Sequence, residues 1–205
     1  MKKFTLFSVI SCIVAALAFT SCNSDTSDSY QGLTKEQIQA CFLATQGTHT
    51  GNMVYAAENK ANIKDQTDTI QVGWTINTDS TMTIYNFPAK AIAEQIKYND
   101  DLKAALAEQP NRNISCSIYY CVASPIQFLI GPHNVTYENV EYAGQSHKVE
   151  VVFYWNNYSF GQYVPTANKP MEMQIFAAKL LVDGNETSYG ITTTAPARFY
   201  FYKEK

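Results

Sequence analysis

Thr69-Ile70-Gln71-Val72-Gly73-Trp74-Thr75-Ile76-Asn77 is the stretch whose reading decides the fold. Successive side chains of an extended chain point to opposite faces. Ile70, Val72, Trp74 and Ile76 therefore share one face, while Thr69, Gln71, Gly73 and Thr75 share the other. One dry face and one wet face describe a half-buried antiparallel strand. Asn77-Thr78-Asp79-Ser80 supplies turn residues, and Thr81–Phe87 returns as the second arm of a hairpin.

The same alternation recurs on both sides of this hairpin. Thr48–Ala57 reads as the preceding strand, joined to it by a polar loop over Glu58–Gln66. Downstream, Ile114–Ala123 alternates through Ile114, Cys116, Ile118, Tyr120 and Val122. Ser124-Pro125 breaks it, Ile126–Ile130 is short and apolar, and Gly131-Pro132 breaks the pattern again. His147–Trp155 alternates Val149, Val151, Phe153 and Trp155, and Met171–Val182 is a long strand. Asp183-Gly184-Asn185-Glu186 reads as a hairpin turn from which Thr187–Thr193 returns. Ala197–Tyr202 is expected to be a strand with Phe199 and Phe201 on one face.

Two segments carry helix signals instead. Leu33–Phe42 reads as a helix with the apolar stripe Ile38, Cys41 and Phe42: Thr34 is its N-cap, Gln37 completes a capping box, and Leu33 with Ile38 occupies staple positions. Gly47 is a natural stop. After Pro88, Ile92 and Ile96 line one face and Leu102 and Leu106 another, with Asn99-Asp100-Asp101 as a fresh N-cap between them. The expected fold is mainly β (α+β): an antiparallel β-barrel or β-sandwich of about eight or nine strands. A short N-terminal helix and a helical insertion cover an end or an edge.

Composition agrees. The chain has 205 residues, of which 13% are aromatic, with 14 Tyr and 11 Phe, and these residues favour strands. It carries 15 Lys and Arg against 18 Asp and Glu, a balance with no electrostatic footprint for nucleic acid.

The N-terminus reads Met1-Lys2-Lys3, an apolar run from Phe4 to Phe19, then Phe19-Thr20-Ser21-Cys22. This is the plan of a secretory signal, and it is shorter than the roughly 20 apolar residues needed to span a bilayer. Its last four residues resemble a bacterial lipobox. That resemblance implies cleavage between Ser21 and Cys22 and a lipidated Cys22 as membrane anchor. Two or three acyl chains hold a protein firmly where one holds it marginally. Residues 1–21 are thus expected to be a lipoprotein signal peptide, 22–31 the lipidated Cys and a flexible tether, and 32–205 a single β-rich domain. Asp25 and Asp28 in the tether resemble the surface-export signals of Bacteroidetes lipoproteins. Together with the Gly47-Thr48-His49-Thr50-Gly51 opening, the chain resembles the uncharacterised single-domain cell-envelope lipoproteins of that group. The resemblance implies an outer-membrane location, facing the periplasm or the cell surface, and no catalytic residues.

Of the five cysteines, Cys12 would leave with the signal and Cys22 take the lipid. Cys41, Cys116 and Cys121 then remain, either as free thiols packed like small hydrophobes or with Cys41 bridged to one of the others.

Chemistry-bearing patterns are sparse. His49, His133 and His147 lack metal-ligand spacing, and there is no GxSxG or CxxC. Ser146 and His147 are neighbours on a strand and so point apart. Asp65, Asp68, Asp79, Glu138, Glu141 and Glu150 fall in loops or on polar faces. Asp183, Asn185 and Thr187 begin like a calcium loop but lack its downstream Glu. No metal, cofactor or enzymatic activity is expected.

One stretch fits recognition: Tyr154-Trp155-Asn156-Asn157-Tyr158-Ser159-Phe160-Gly161-Gln162-Tyr163. Flat rings cover the apolar faces of sugars while amides exchange hydrogen bonds with hydroxyls. Trp155, Asn157, Tyr158 and Tyr163 are the candidate ligand contacts, unless Trp155 and Phe160 merely complete the core. The expected function is a lipid-anchored, non-catalytic binding module for a glycan or small ligand. The alternative is a structural or interaction subunit of an envelope complex.

Overall fold

The computed structural model describes residues 32–57 and 66–205. The expected signal segment 1–21, the tether 22–31 with Cys22, and most of the loop after the first strand lie outside the described residues.

Helix α1 (Lys35–Thr45) starts as its sequence dictates. The Thr34 hydroxyl accepts the Gln37 N–H, and the Gln37 side chain accepts the Thr34 N–H in return. Strands β1 (Gly47–Ala56), β2 (Thr67–Thr78) and β3 (Thr81–Phe87) follow as an antiparallel meander. Helices α2 (Ala89–Ala93) and α3 (Asp100–Ala107) form the insertion, with Asn99 Oδ1 capping α3 at the Leu102 N–H, 2.9 Å away. The chain then runs through β4 (Arg112–Ala123), β5 (Ile126–Pro132), β6 (Val135–Tyr142), β7 (Gln145–Phe153) and β8 (Phe160–Tyr163). It ends with β9 (Met171–Val182), β10 (Asn185–Glu186) and β11 (Ala197–Lys203).

The order β11-β1-β2-β3-β4-β5-β8-β9 closes on itself, because β11 also pairs with β9. The architecture is a closed eight-stranded antiparallel barrel, not a sandwich. Eight strands leave an interior that side chains can fill. Here Met53, Trp74, Ile76, Met82, Ile84, Tyr120, Phe128, Phe199 and Phe201 point inward and are essentially inaccessible. The fold-deciding stretch supplies the largest of them: Trp74 is 0% exposed, and its Nε1–H donates to Met171 Sδ of β9, 3.2 Å away.

Both barrel ends are covered. At one, the Thr45 hydroxyl of α1 meets the Tyr120 hydroxyl at 2.5 Å, and Cys41 is buried beside it. At the other, Ala89, Ala91, Ile92, Ala93 and Ile96 are buried, and Gln95 Nε2 donates to the Ala56 carbonyl at 2.6 Å. Strand β9 is longer than the barrel needs. Its first half pairs with β8 and β11, and its second half pairs with β7, which carries β6. This side sheet and the barrel end enclose the helical insertion, with Phe87 packed edge-on against Phe153 of β7 and Phe199 of β11.

Several expectations change. Strand β6 is additional, hidden from a period-two reading because a bulge between Tyr137 and Val140, with Asn139 at φ +59°, breaks its alternation. Strand β8 is also additional. Trp155 lies beyond the end of β7 rather than on it. The return strand expected over Thr187–Thr193 does not form: the pairing is confined to β10, whose two residues lie in the expected turn, and to an isolated bridge at Thr192. The chain leaves the sheet there because it crosses α2's end, where the Tyr189 carbonyl accepts the Lys97 N–H at 2.9 Å. Gly190 makes that crossing possible: at φ +116°, a Cβ would stand 2.3 Å from the Gln95 carbonyl. The thiols of Cys41, Cys116 and Cys121 are free, so no Cys41 bridge forms, and burial pushes the Cys116 thiol up to about 12.

His49 links the barrel to α1. Its ring stacks on Trp74 at 5.9 Å and Nε2–H donates to the Thr45 carbonyl at 2.9 Å. Burial, the largest influence, holds its pKa below the ordinary 6.5, with Lys203 acting in the same direction. The unfolded chain therefore binds this proton more readily than the folded one. Its contribution is complete above pH 6.5 and declines as pH falls through 6.5 toward the folded value. Urea midpoints at pH 7.5 and 5.5 are expected to differ more for the native chain than for His49→Gln. Equal differences would remove His49 from the pH dependence.

Candidate functional site

The segment between β7 and β8 is fastened to the barrel wall at several points. The Tyr154 N–H donates to Phe176 O at 2.9 Å, and its hydroxyl donates to Thr193 O at 2.8 Å. Asn156 Oδ1 accepts the Tyr158 N–H at 3.0 Å, folding the tip into an Asx turn. Gln174 Nε2 donates to Tyr158 O at 2.8 Å, and the Ile130 N–H donates to Ser159 O at 2.8 Å. Ser159 is fully buried, whereas Trp155 and Tyr158 on this rigid loop are 67% and 62% exposed.

Trp155 rests on the backbone of Gly131 in β5. A Cβ built there would lie 2.7 Å from Trp155 Cδ2 and 2.9 Å from Cε3, so the indole plane lies flat on a position where only glycine fits. One ring face is thus seated and the other open. Tyr158 stands edge-on to Phe176 with ring centroids 6.3 Å apart. Asn157 is exposed at the tip between them. Trp155, Asn157 and Tyr158 are thus all exposed on the one loop.

Tyr163 does not join them. It pairs with Ile126 and Met171 and packs on the core, two residues along from Gly161, which faces the interior against Phe128. Strand parity sends Phe160 and Gln162 outward and Tyr163 inward.

Sequence reasoning missed the floor and the far side of this face. Gly131 registered only as a strand breaker, although it seats the indole. On the outer wall, Phe176 pairs with Arg198, Gln174 with Tyr200 and Glu172 with Tyr202. The alternation in Arg198-Phe199-Tyr200-Phe201-Tyr202 announces that the tyrosines oppose the buried phenylalanines. Nothing local says which loop they stand beside.

Other candidates separate in space. His147 Nδ1 is 2.7 Å from Asp183 Oδ2 and its ring is 4.2 Å from Tyr142. The Asp183 carboxyl, hydrogen-bonded by His147 and by the Lys148 N–H, sits below the usual carboxylate range. Next to it lies an open depression of about 330 Å³, lined by Tyr142, Val182, Thr187, Ser188 and Tyr189 among others. Among the described residues, no cluster of three His, Cys, Asp or Glu could hold a metal ion.

A family described as a domain of unknown function, DUF4840, matches residues 44–182. The chain belongs to the DUF4840 family. Within this member the match covers β1 through β9 and stops short of β11, the strand that closes the barrel. No curated protein and no solved structure matches it.

The seat of Trp155 yields a sharp expectation. Gly131→Ala keeps an extended backbone that alanine tolerates, yet its methyl occupies the space under the indole. The ring should lift away, and acrylamide quenching of tryptophan fluorescence should rise, since buried Trp74 contributes little to it. Unchanged quenching would mean that the indole is not seated as described.

Proposed function

We propose that this DUF4840 protein is a lipid-anchored binding module of the cell envelope, held by Cys22 in the outer membrane and presenting the Trp155–Tyr158 face to a glycan. The observation that carries the reading is an exposed indole held flat on Gly131 by a loop that is itself fastened to a closed barrel. Preorganisation matters because ordering a mobile side chain on binding costs roughly 0.5–1.5 kcal/mol. A seated ring avoids most of that cost. Flat aromatic faces complement the C–H faces of pyranose rings, and Asn157 beside them offers both donors and an acceptor for hydroxyls. The tether 22–31 would supply reach above the membrane.

The interaction-subunit reading has one observation in its favour: among the described residues β6 pairs only with β7 and forms an edge of the side sheet. That edge is bulged at Glu138-Asn139 and carries exposed Glu138 and Glu141, which are devices that discourage strand addition. It supports the second reading less than the seated indole supports the first.

Two experiments test the proposal. On a glycan array, the full chain is expected to retain ligands that Trp155→Ala loses by roughly tenfold or more, the scale of a hot-spot aromatic. An array without hits would refute the binding-module reading. Separately, Cys22→Ala is expected to abolish labelling by a fatty-acid probe and release the protein from membranes. A variant that stays membrane-bound would remove the anchor.

A further inference from the structure

The aromatic face continues past Tyr158, and its far side is cationic. The pairing order β5-β8-β9-β11 places Gly131 with its indole, the loop end before β8, Phe176 and Arg198 in succession across the outer wall, with Phe160 in the neighbouring row opposite Leu129 and Gln174. At roughly 4.8 Å per strand, Trp155 and Arg198 stand about 14 Å apart across the wall, the span of several pyranose rings in line. Tyr200 and Tyr202 stack at 5.7 Å beside Arg198. The Arg198 guanidinium carbon lies 5.3 Å from the Tyr200 ring centroid, and Lys169 Nζ lies 3.8 Å from that of Tyr202.

Neither cation has an ion-pair partner among the described residues. Arg198 Nε is buried without a hydrogen-bond partner. The carboxylate on this side, Glu172, accepts a hydrogen bond from the Tyr200 hydroxyl at Oε1 and lies outside ion-pair distance of both cations. In a chain whose formal charge is −3, an unpaired Arg198 across the wall from the exposed indole, with unpaired Lys169 farther along the same wall over Tyr202, marks a place for an anionic group.

We infer, building on the glycan reading above, that the ligand is an acidic oligosaccharide lying across the strands. Its neutral rings cover Trp155 and Tyr158, and a carboxylate or sulfate is held by Arg198 and Lys169. Guanidinium donors match the two oxygens of such a group, and charge-assisted hydrogen bonds exceed neutral ones in strength.

The test titrates the full chain with paired oligosaccharides, each uronic-acid oligomer matched to its neutral parent of the same length and linkage. At least one acidic member is expected to bind roughly tenfold or more tighter than its parent, with an advantage that shrinks as salt rises. R198Q and K169Q should each erase most of that advantage, R198K should restore part of it, and W155A should weaken both members. Neutral and acidic members binding equally, with loss in W155A, would overturn this inference and leave the glycan reading standing. An acidic preference indifferent to R198Q and K169Q would also overturn it. No binding by any member would overturn both. So would Arg198-dependent binding of the C22A chain to phosphatidylglycerol vesicles in place of any oligosaccharide.

Discussion

A chain ending at Pro196 is expected to lose the folded state altogether. The removed strand β11 pairs with β1 from Asn52 to Tyr55 and with β9 from Met171 to Ala177, so its loss opens the barrel along two strands at once. It also withdraws Phe199 and Phe201, both 0% exposed, from the interior. Truncating a buried Phe to Ala costs about 3–5 kcal/mol, so two such losses approach the total stability of about 5–15 kcal/mol typical of a domain. The two newly unpaired strands would then be templates for aggregation. Near-UV circular dichroism and urea titration check this: neither a tertiary signal nor a cooperative transition should remain. A truncated chain that melts cooperatively with the full chain's spectrum would show that closure is dispensable. Because the family match ends at residue 182, the closing strand lies beyond the matched segment in this member.

Trp74→Ala carries the next largest expected effect. Trp74 is 0% exposed, stacks with His49 at 5.9 Å, meets Phe201 edge-on at 6.4 Å and donates to Met171 Sδ. An alanine leaves a cavity that strands locked in a closed ring cannot collapse into. The loss should be about 3–5 kcal/mol, or roughly 6–20 °C in melting temperature for a domain of this size. Trp155→Ala is the internal comparison. It removes the other of the chain's two tryptophans from the surface and should change stability by only about 0.5 kcal/mol. Similar losses for both would mean that Trp155 completes the core, which would remove the basis of the binding face. The two substitutions together thus separate framework from site.

The contrast between these residues shows what was legible. In Thr69–Asn77 the alternation identified Trp74 as inward-facing, and β2 runs from Thr67 to Thr78 with Val72, Trp74 and Ile76 buried. The Thr34–Gln37 capping box and the Asn99 cap were equally readable, because each is made by residues three apart. The aromatic-rich surroundings of Trp155 single it out in the sequence, but the alternation of His147–Trp155 places it on a strand that ends at Phe153. Strand β6 was missed where its bulge at Asn139 disrupts the period, and Tyr163 was grouped with rings from which strand parity separates it.

What the sequence determined by itself is therefore what depends on near neighbours: strand faces, helix starts, turn positions and the β-rich class. Only the tertiary structure decided that the sheet closes as a barrel, since closure rests on β11 meeting both β1 and β9. Only it seated Trp155 on Gly131 and set Arg198 opposite Phe176 on the same wall. Each of these depends on which distant strands pair, and in what register. Side-chain alternation constrains that pairing to a face but does not choose the partner.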